Sequence, residues 1–284
     1  MLKTAQPGIE VEIEIIKTLG DRILDTALSK IGDKGLFTKE IEQALLQSRI
    51  DIAVHSLKDL PSLLEPGLCI GAVLQRENPC DVLIAERDAT IDILRPGAAI
   101  GTSSLRRTAQ LTARRPDISI VPVRGNVETR INKIKTDGLD GIILAYAGVK
   151  RLGFAHLIAE KIPFELMLPA VGQGAVAVEI RENDPAVLNI VRRIHHQETA
   201  IATASERSFL RTLEGGCQVP IGCLARCQKQ KIAVSGVVAA LDGKNTISGN
   251  ITGSSSDAEL LGKKLAQQLL SEGADKILNE IYNR

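Results

Sequence analysis

Between residues 51 and 180, short β-branched runs alternate with segments whose apolar residues recur at helical spacing, and this alternation constrains the chain more than any other feature. DIAVHS (51–56), LCIGAVL (68–74), DVLIA (81–85), ISIVPV (118–123) and AVAVEI (175–180) have the length and composition of strands. AAIGTSS (98–104) reads as a strand running into a helix start, and GIILAYAGVKRL (141–152) as a strand followed by a helical turn. FTKEIEQALLQS (37–48), LRRTAQLTARR (105–115) and VETRINKIKTD (127–137) have helical periodicity, and Pro116 stops the second. Alternation of this kind predicts an α/β architecture with a mainly parallel sheet covered by helices. VEIEIIKT (11–18) alternates in the manner of a further strand.

The pattern pauses at QRENP (75–79) and at 169–174, which places one domain at about 80–168 between two connections. The last third differs. Residues 195–216 read as a helix ending in a glycine pair, 231–253 as an antiparallel meander with a DGKN turn, and 257–281 as a helical region. Strands followed by helices point to a small α+β domain.

Composition excludes several function classes. Aromatic residues are 2% of the chain and Trp is absent, which disfavours stacking platforms for single-stranded nucleic acid. The net charge of +1 supplies no general field for nucleic acid or an anionic membrane. No apolar run approaches a membrane span, and the opening residues lack the apolar stretch of an export signal, so a cytoplasmic location is expected. Five cysteines without such a signal argue against a disulfide framework.

Anion recognition must therefore come from local clusters. In GTSSLRR (101–107), Thr102, Ser103 and Ser104 stand where a strand gives way to a helix, and helix N-termini bind anions. Arg106 and Arg107 add planar forks suited to carboxylates, although a capped helix with two solvated arginines has the same spelling. VRGNVETR (123–130) repeats the arrangement with Arg124 and Arg130, and Arg151 follows the next strand. Ligands of open α/β sheets bind beyond the carboxyl ends of strands, so this repetition predicts an anion cleft. Lys58 and Asp59 follow the strand at 51–56, where Asp59 is either a turn residue before Pro61 or a carboxylate facing the cleft. His55, inside that strand, reads as a hydrogen-bonded core histidine, and His195 and His196 as connection residues.

Cys217 follows Gly215 and Gly216 in LEGGCQVPIGC (213–223), an exposed setting unlike that of a core cysteine. Cys217, Cys223 and Cys227 are separated by five and three residues, which is not the paired short spacing of a structural zinc site, and no metal is expected.

Together, KTLGD (17–21), GDKGLFTKEIE (32–42), DIAVHSLKDLP (51–61), GTSSLRR, RGNVETR, ILAYAGVKRLG (143–153), LPAVGQGAVAVE (168–179) and LEGGCQVPIG (213–222) resemble the hydroxymethylbilane synthases, also called porphobilinogen deaminases. The motifs run in family order over nearly the whole chain.

The resemblance implies an α/β protein of three domains. The first two are like class II periplasmic binding proteins with a cleft between them, and the third is a small α+β domain. The boundaries become 1–74 plus 175–192, 80–168, and 197–284. The resemblance also implies a dipyrromethane cofactor on Cys217 through a thioether, and head-to-tail condensation of four porphobilinogen molecules with release of ammonia and the linear tetrapyrrole. Asp59 takes the catalytic role. Lys58, Thr102, Ser103, Ser104, Arg106, Arg107, Arg124 and Arg130 hold the cofactor, and Arg124, Arg130, Arg151 and Gln173 the substrate. A monomer is expected, with no nucleic-acid or membrane partner.

The family opens with a strand and helix before the KTLGD region, separated by an Arg-Gly-Ser type segment. No arginine in residues 1–16 matches it, so the chain reads as shortened at this point. The competing reading is a non-catalytic small-anion binding protein on the same two-domain fold, which leaves the glycine-flanked Cys217 unexplained. The cleft arginines are expected to be exposed, so that replacing Arg107 or Arg124 by Lys lowers activity with little change in stability.

Overall fold

The computed structural model describes residues 1–18, 38–86, 88–213 and 219–282. After a helical turn at Leu2–Ala5, residues 9–18 run without regular structure, so the strand expected over 11–18 does not form. Ile13 and Ile15 are 83% and 85% exposed there. Alternation supplies a strand's two faces, but a strand also needs a partner backbone, and none pairs with this segment among the described residues.

The first unit contains α1 (Lys39–Leu46), β1 (Ala53–Ser56) and β2 (Leu68–Val73). The chain then crosses into β3 (Asp81–Ala85), β4 (Ala99–Gly101), α2 (Leu105–Arg114), β5 (Ser119–Val121), α3 (Val127–Thr136), β6 (Gly141–Ala145), α4 (Tyr146–Arg151) and β7 (Ile158–Lys161). It returns to the first unit as β8 (Val176–Arg181) and α5 (Pro185–Val191). The final unit comprises α6 (Gln197–Thr212), β9 (Ile221–Gln228), β10 (Lys231–Ala239), β11 (Thr246–Ser254), α7 (Ala258–Leu269) and α8 (Asp275–Tyr282).

The first sheet has the order β1-β8-β2, with β8 antiparallel to both neighbours and Ala53 opposite Glu179. The second has the order β5-β4-β6-β3-β7. In it β4 runs parallel to β5 and β6, whereas β3 runs antiparallel to β6 and β7. The expectation of mainly parallel sheets is therefore corrected: the described pairings of the first sheet are antiparallel, and the second sheet is mixed. The physical reason is the double crossing: β3 arrives from the first unit and β8 from the second, and each inserts against the direction of its neighbours. Composition reports that a run is a buried strand but not which way it points.

Both faces of the second sheet are covered. Leu83, Ile100 and Ile143 pack into one core, and Val82, Ile142 and Leu144 into another, as period-two alternation requires. The third sheet is the antiparallel meander β11-β10-β9, whose Ile232, Val234 and Val238 pack with Phe209, Leu265 and Leu269. No helix among the described residues is long and apolar enough to cross a membrane.

Candidate active site

The two crossings lie side by side. Leu74 and Glu77 donate backbone N–H groups to the carbonyls of Val176 (2.9 Å) and Gly174 (3.0 Å). At Gly174 the backbone takes φ +84°, and a β-carbon would fall 2.5 Å from the Glu77 carbonyl oxygen, so only glycine lets the strands approach this closely. The Gln173 side chain reaches from one crossing to the other, donating to Pro79 O (2.7 Å) and Asp81 Oδ1 (3.0 Å).

Asp81, the first residue of β3, is fully buried. It accepts from Arg106 Nη1 at 2.7 Å and from Arg107 Nε and Nη2 at 3.1 and 2.7 Å. Arg106 Nη1 also donates to Leu168 O, and Arg107 Nη1 to Ile143 O. Burial alone would raise the Asp81 carboxyl, but the two guanidiniums outweigh it and hold the group well below the usual carboxylate range. Arg106 and Arg107 are 4% and 6% exposed, which corrects the expectation of exposed cleft arginines for this pair. Both stand in the first turn of α2, and both donate to Asp81, the first residue of β3. An arginine there is either solvated or paired with a buried anion, and Asp81 makes it the latter.

Ser104, at the start of α2, makes no side-chain cap to the first-turn amide groups. Thr102 is buried and its Oγ1 accepts from Ser104 N (3.2 Å), while Ser103 Oγ donates to Val123 O (3.0 Å). The start of α3 differs. Asn126 Oδ1 caps it by accepting from Thr129 N at 2.8 Å, and Arg130 Nε folds back to Gly125 O at 2.6 Å.

Lys58 and Asp59 occupy a 3-10 turn at Leu57–Asp59, at the end of β1. Asp59 is exposed and Lys58 half-buried. Burial lowers the Lys58 ammonium, with Arg107 and Arg106 adding to the effect and Asp59 and Asp81 opposing it. Burial likewise lowers Arg130, assisted by Arg107 and Arg124 and opposed by Asp59. These mutual influences couple Lys58 and Asp59 of the first unit electrostatically to Arg106, Arg107, Arg124 and Arg130 of the second. Within this group five cations face two carboxylates, Asp59 and Asp81. Arg151 ends α4, is exposed, and is joined to none of the others by a hydrogen bond or ion pair among the described residues. Gln173 is buried in the crossing. Cys217 and its two glycines fall outside the described residues. His55 is a core histidine, 3.0 Å from the buried Glu179 carboxylate.

Two further residues of the third unit organise the site. Glu206 of α6 accepts from Arg76 Nη1 and Nη2 (2.6 and 3.1 Å), Gly172 N (2.7 Å) and Ala225 N (2.8 Å), so one buried carboxylate ties both crossings to the third unit. Arg207 donates to the carbonyls of Leu60, Pro61 and Ser62. Asp81, Glu206 and Arg207 escaped the sequence reading. The available signals were an acidic residue opening the apolar run DVLIA, and a Glu-Arg pair flanked by the small residues of ATASERS.

The fold and the site thus define a two-lobed α/β protein with a cationic cluster at the crossing and a third unit braced against it. Residues 1–189 match the family porphobilinogen deaminase, dipyromethane cofactor binding domain, and residues 200–271 match porphobilinogen deaminase, C-terminal domain. The chain belongs to the porphobilinogen deaminase family. It is 55% identical over 280 residues to a porphobilinogen deaminase of Syntrophomonas wolfei, covering 99% of this chain and 92% of that relative. It is 51% identical to one from Pelotomaculum thermopropionicum (98% and 89% covered) and 47% identical to one from Nostoc sp. (99% and 88% covered). Among solved structures, a TRAP periplasmic solute binding protein from Desulfovibrio salexigens overlaps 58% of this chain and 60% of its own, at a TM-score of 0.37 and 11% identity.

The family's dipyrromethane group carries acetate and propionate side chains. The cluster suits such a group because its cations outnumber its carboxylates and the first-turn amides of α2 carry no side-chain cap.

Proposed function

We propose that the chain is a hydroxymethylbilane synthase that condenses four porphobilinogen molecules head to tail at this cluster, with Asp59 as the catalytic residue. The observation that carries the reading is the electrostatic coupling across the lobes, Arg107 acting on Lys58 and Asp59 on Arg130. When bound through Cys217, the dipyrromethane group supplies the pyrrole carbon on which the chain grows. Arg124 and Arg130 bind substrate carboxylates, with Arg151 joining them along the cleft wall. Arg106 and Arg107 hold the cofactor with those donors not engaged by Asp81 and the backbone. Thr102, Ser103, Ser104 and the start of α2 bind a further carboxylate, and Lys58 supports it. Gln173 acts by fixing Asp81.

Porphobilinogen loses ammonia from its aminomethyl group, leaving a cation delocalised over the pyrrole. A carboxylate beside that cation lowers the barrier by stabilising charge as it develops. Asp59 is exposed, and a carboxylate at this position can also take up the pyrrole N–H proton. Porphobilinogen is the small-molecule substrate. The protein acts as a monomer in the cytoplasm without nucleic-acid or membrane partners.

The test is Asp59→Ala, with intact mass and tetrapyrrole formation measured on one preparation. The expected result is a covalent adduct on Cys217 with condensation slowed by orders of magnitude. Near-normal tetrapyrrole formation by the loaded variant rules out the assignment of Asp59. A Cys217→Ser variant that keeps the same mass increment shows attachment elsewhere.

A further inference from the structure

The turn that carries Lys58 and Asp59 is held at both ends. At its start, Leu57 is 1% exposed, packs against Gly172, and donates its N–H to Ala175 O at 3.0 Å. Past its end, residues 60–62 have no ladder partner in the sheet, and the carbonyls of Leu60, Pro61 and Ser62 all point to one guanidinium. Arg207 Nη1 donates to Leu60 O at 3.3 Å, and Nη2 to Pro61 O at 2.7 Å and Ser62 O at 3.1 Å. Arg207 is 7% exposed and sits on α6, beside the Glu206 that locks that helix to both crossings. We infer that Arg207 of the third unit is a positioning residue for Asp59, acting through the main chain of 60–62.

A guanidinium is the side chain that can hold three successive carbonyls, because its donors are fixed in one plane. An ammonium at the same place makes a point contact and leaves carbonyls to find other donors. Asp59 is itself exposed, so little packing fixes its carboxylate directly. Its position is set by the two anchors of the turn. Misplacing a reacting group by about 1 Å costs on the order of a hundredfold in rate. Arg207 also stands ten residues before Cys217 in the chain, on the helix that leads toward it.

This inference rests on Asp59 being catalytic, and the experiment separates the two. Arg207→Met, Asp59→Ala and the double variant are compared with the parent chain for covalent loading by intact mass, melting temperature, and kcat and KM for porphobilinogen. Arg207→Met is expected to load its cofactor normally and to lose about 10- to 100-fold in kcat with KM nearly unchanged. In the Asp59→Ala background the same substitution is expected to change the residual rate less than twofold, because the group it positions is gone. Arg207→Lys should recover only part of the loss. Equal losses in both backgrounds, or full recovery by Lys, overturns the positioning role while leaving Asp59 intact. Near-normal turnover of loaded Asp59→Ala defeats the underlying reading instead. If Arg207→Met fails to fold, Arg207→Lys takes its place in the cycle: a loss confined to the Asp59 background supports the positioning role, and an equal loss in both backgrounds, or none in either, overturns it.

Discussion

Arg76 and Glu206 meet in a two-pronged ion pair, Nη1 to Oε1 at 2.6 Å and Nη2 to Oε2 at 3.1 Å, with the Glu206 side chain fully buried. Arg76 lies on the first crossing, and the same carboxylate accepts Gly172 N from the second. The lobes therefore meet at a joint whose two strands share one anion from the third unit.

Removing that anion strands a buried cation and two backbone donors. Glu206→Ala should cost about 3–5 kcal/mol, the range seen when one partner of a buried pair is deleted. Urea unfolding followed by circular dichroism checks this. A shift in midpoint no larger than that of a surface Glu→Ala control would mean the joint is held by other contacts.

Arg107→Lys should lower stability as well as activity. Arg107 makes two hydrogen bonds to Asp81 and one to Ile143 O, and a lysine can keep one of the three. Leaving a buried acceptor unsatisfied costs about 1–3 kcal/mol. Thermal melting of the two proteins side by side decides it: equal melting temperatures would return Arg107 to the solvent-facing role.

Acid stability should depend on Asp81. Its folded-state carboxyl titrates far below the unfolded value of about 3.9, so its contribution is complete above pH 4. That contribution is lost as pH falls below 4 toward the folded-state value. Asp81→Asn should be less stable at neutral pH and should show a flatter decline of unfolding free energy below pH 4. Parallel curves for the two proteins would mean other carboxylates govern the acid limb.

Gly243, in the β10–β11 hairpin, has φ +71°, and a β-carbon there would lie 2.4 Å from the backbone nitrogen of Ala113 in α2. Gly97 has φ +74° with nothing within 4 Å of that position. Both alanine variants bear the left-handed backbone penalty of about 1–2 kcal/mol, and only Gly243→Ala adds a clash that pries the hairpin from α2. Gly243→Ala should therefore unfold at lower urea than Gly97→Ala. Identical midpoints would show that the hairpin yields freely.

Much of this arrangement was legible in the sequence because the signals are local. β3, α2, α3 and β6 fall within two residues of the segments read from periodicity, and the arginines stand near the strand ends where repetition placed them. What escaped depends on distant partners. Arg106 and Arg107 are spelled like solvated residues, and only Asp81, 25 and 26 positions earlier in the chain, makes them buried. Strand direction was invisible for the same reason, since nothing within DVLIA or AVAVEI records that each enters a sheet from the other lobe. VEIEIIKT shows the opposite failure, a local pattern with no partner to complete it.

The placement of β8 between β1 and β2 carries a consequence for synthesis. As the chain leaves the ribosome, β1 and β2 emerge early and do not pair with each other, and the strand that joins them begins about a hundred residues after β2 ends. At roughly 5–20 residues per second, that interval lasts on the order of 5–20 s. The second lobe is complete before the first has its central strand, so the lobe bearing Asp59 is the later of the two to close on a nascent chain.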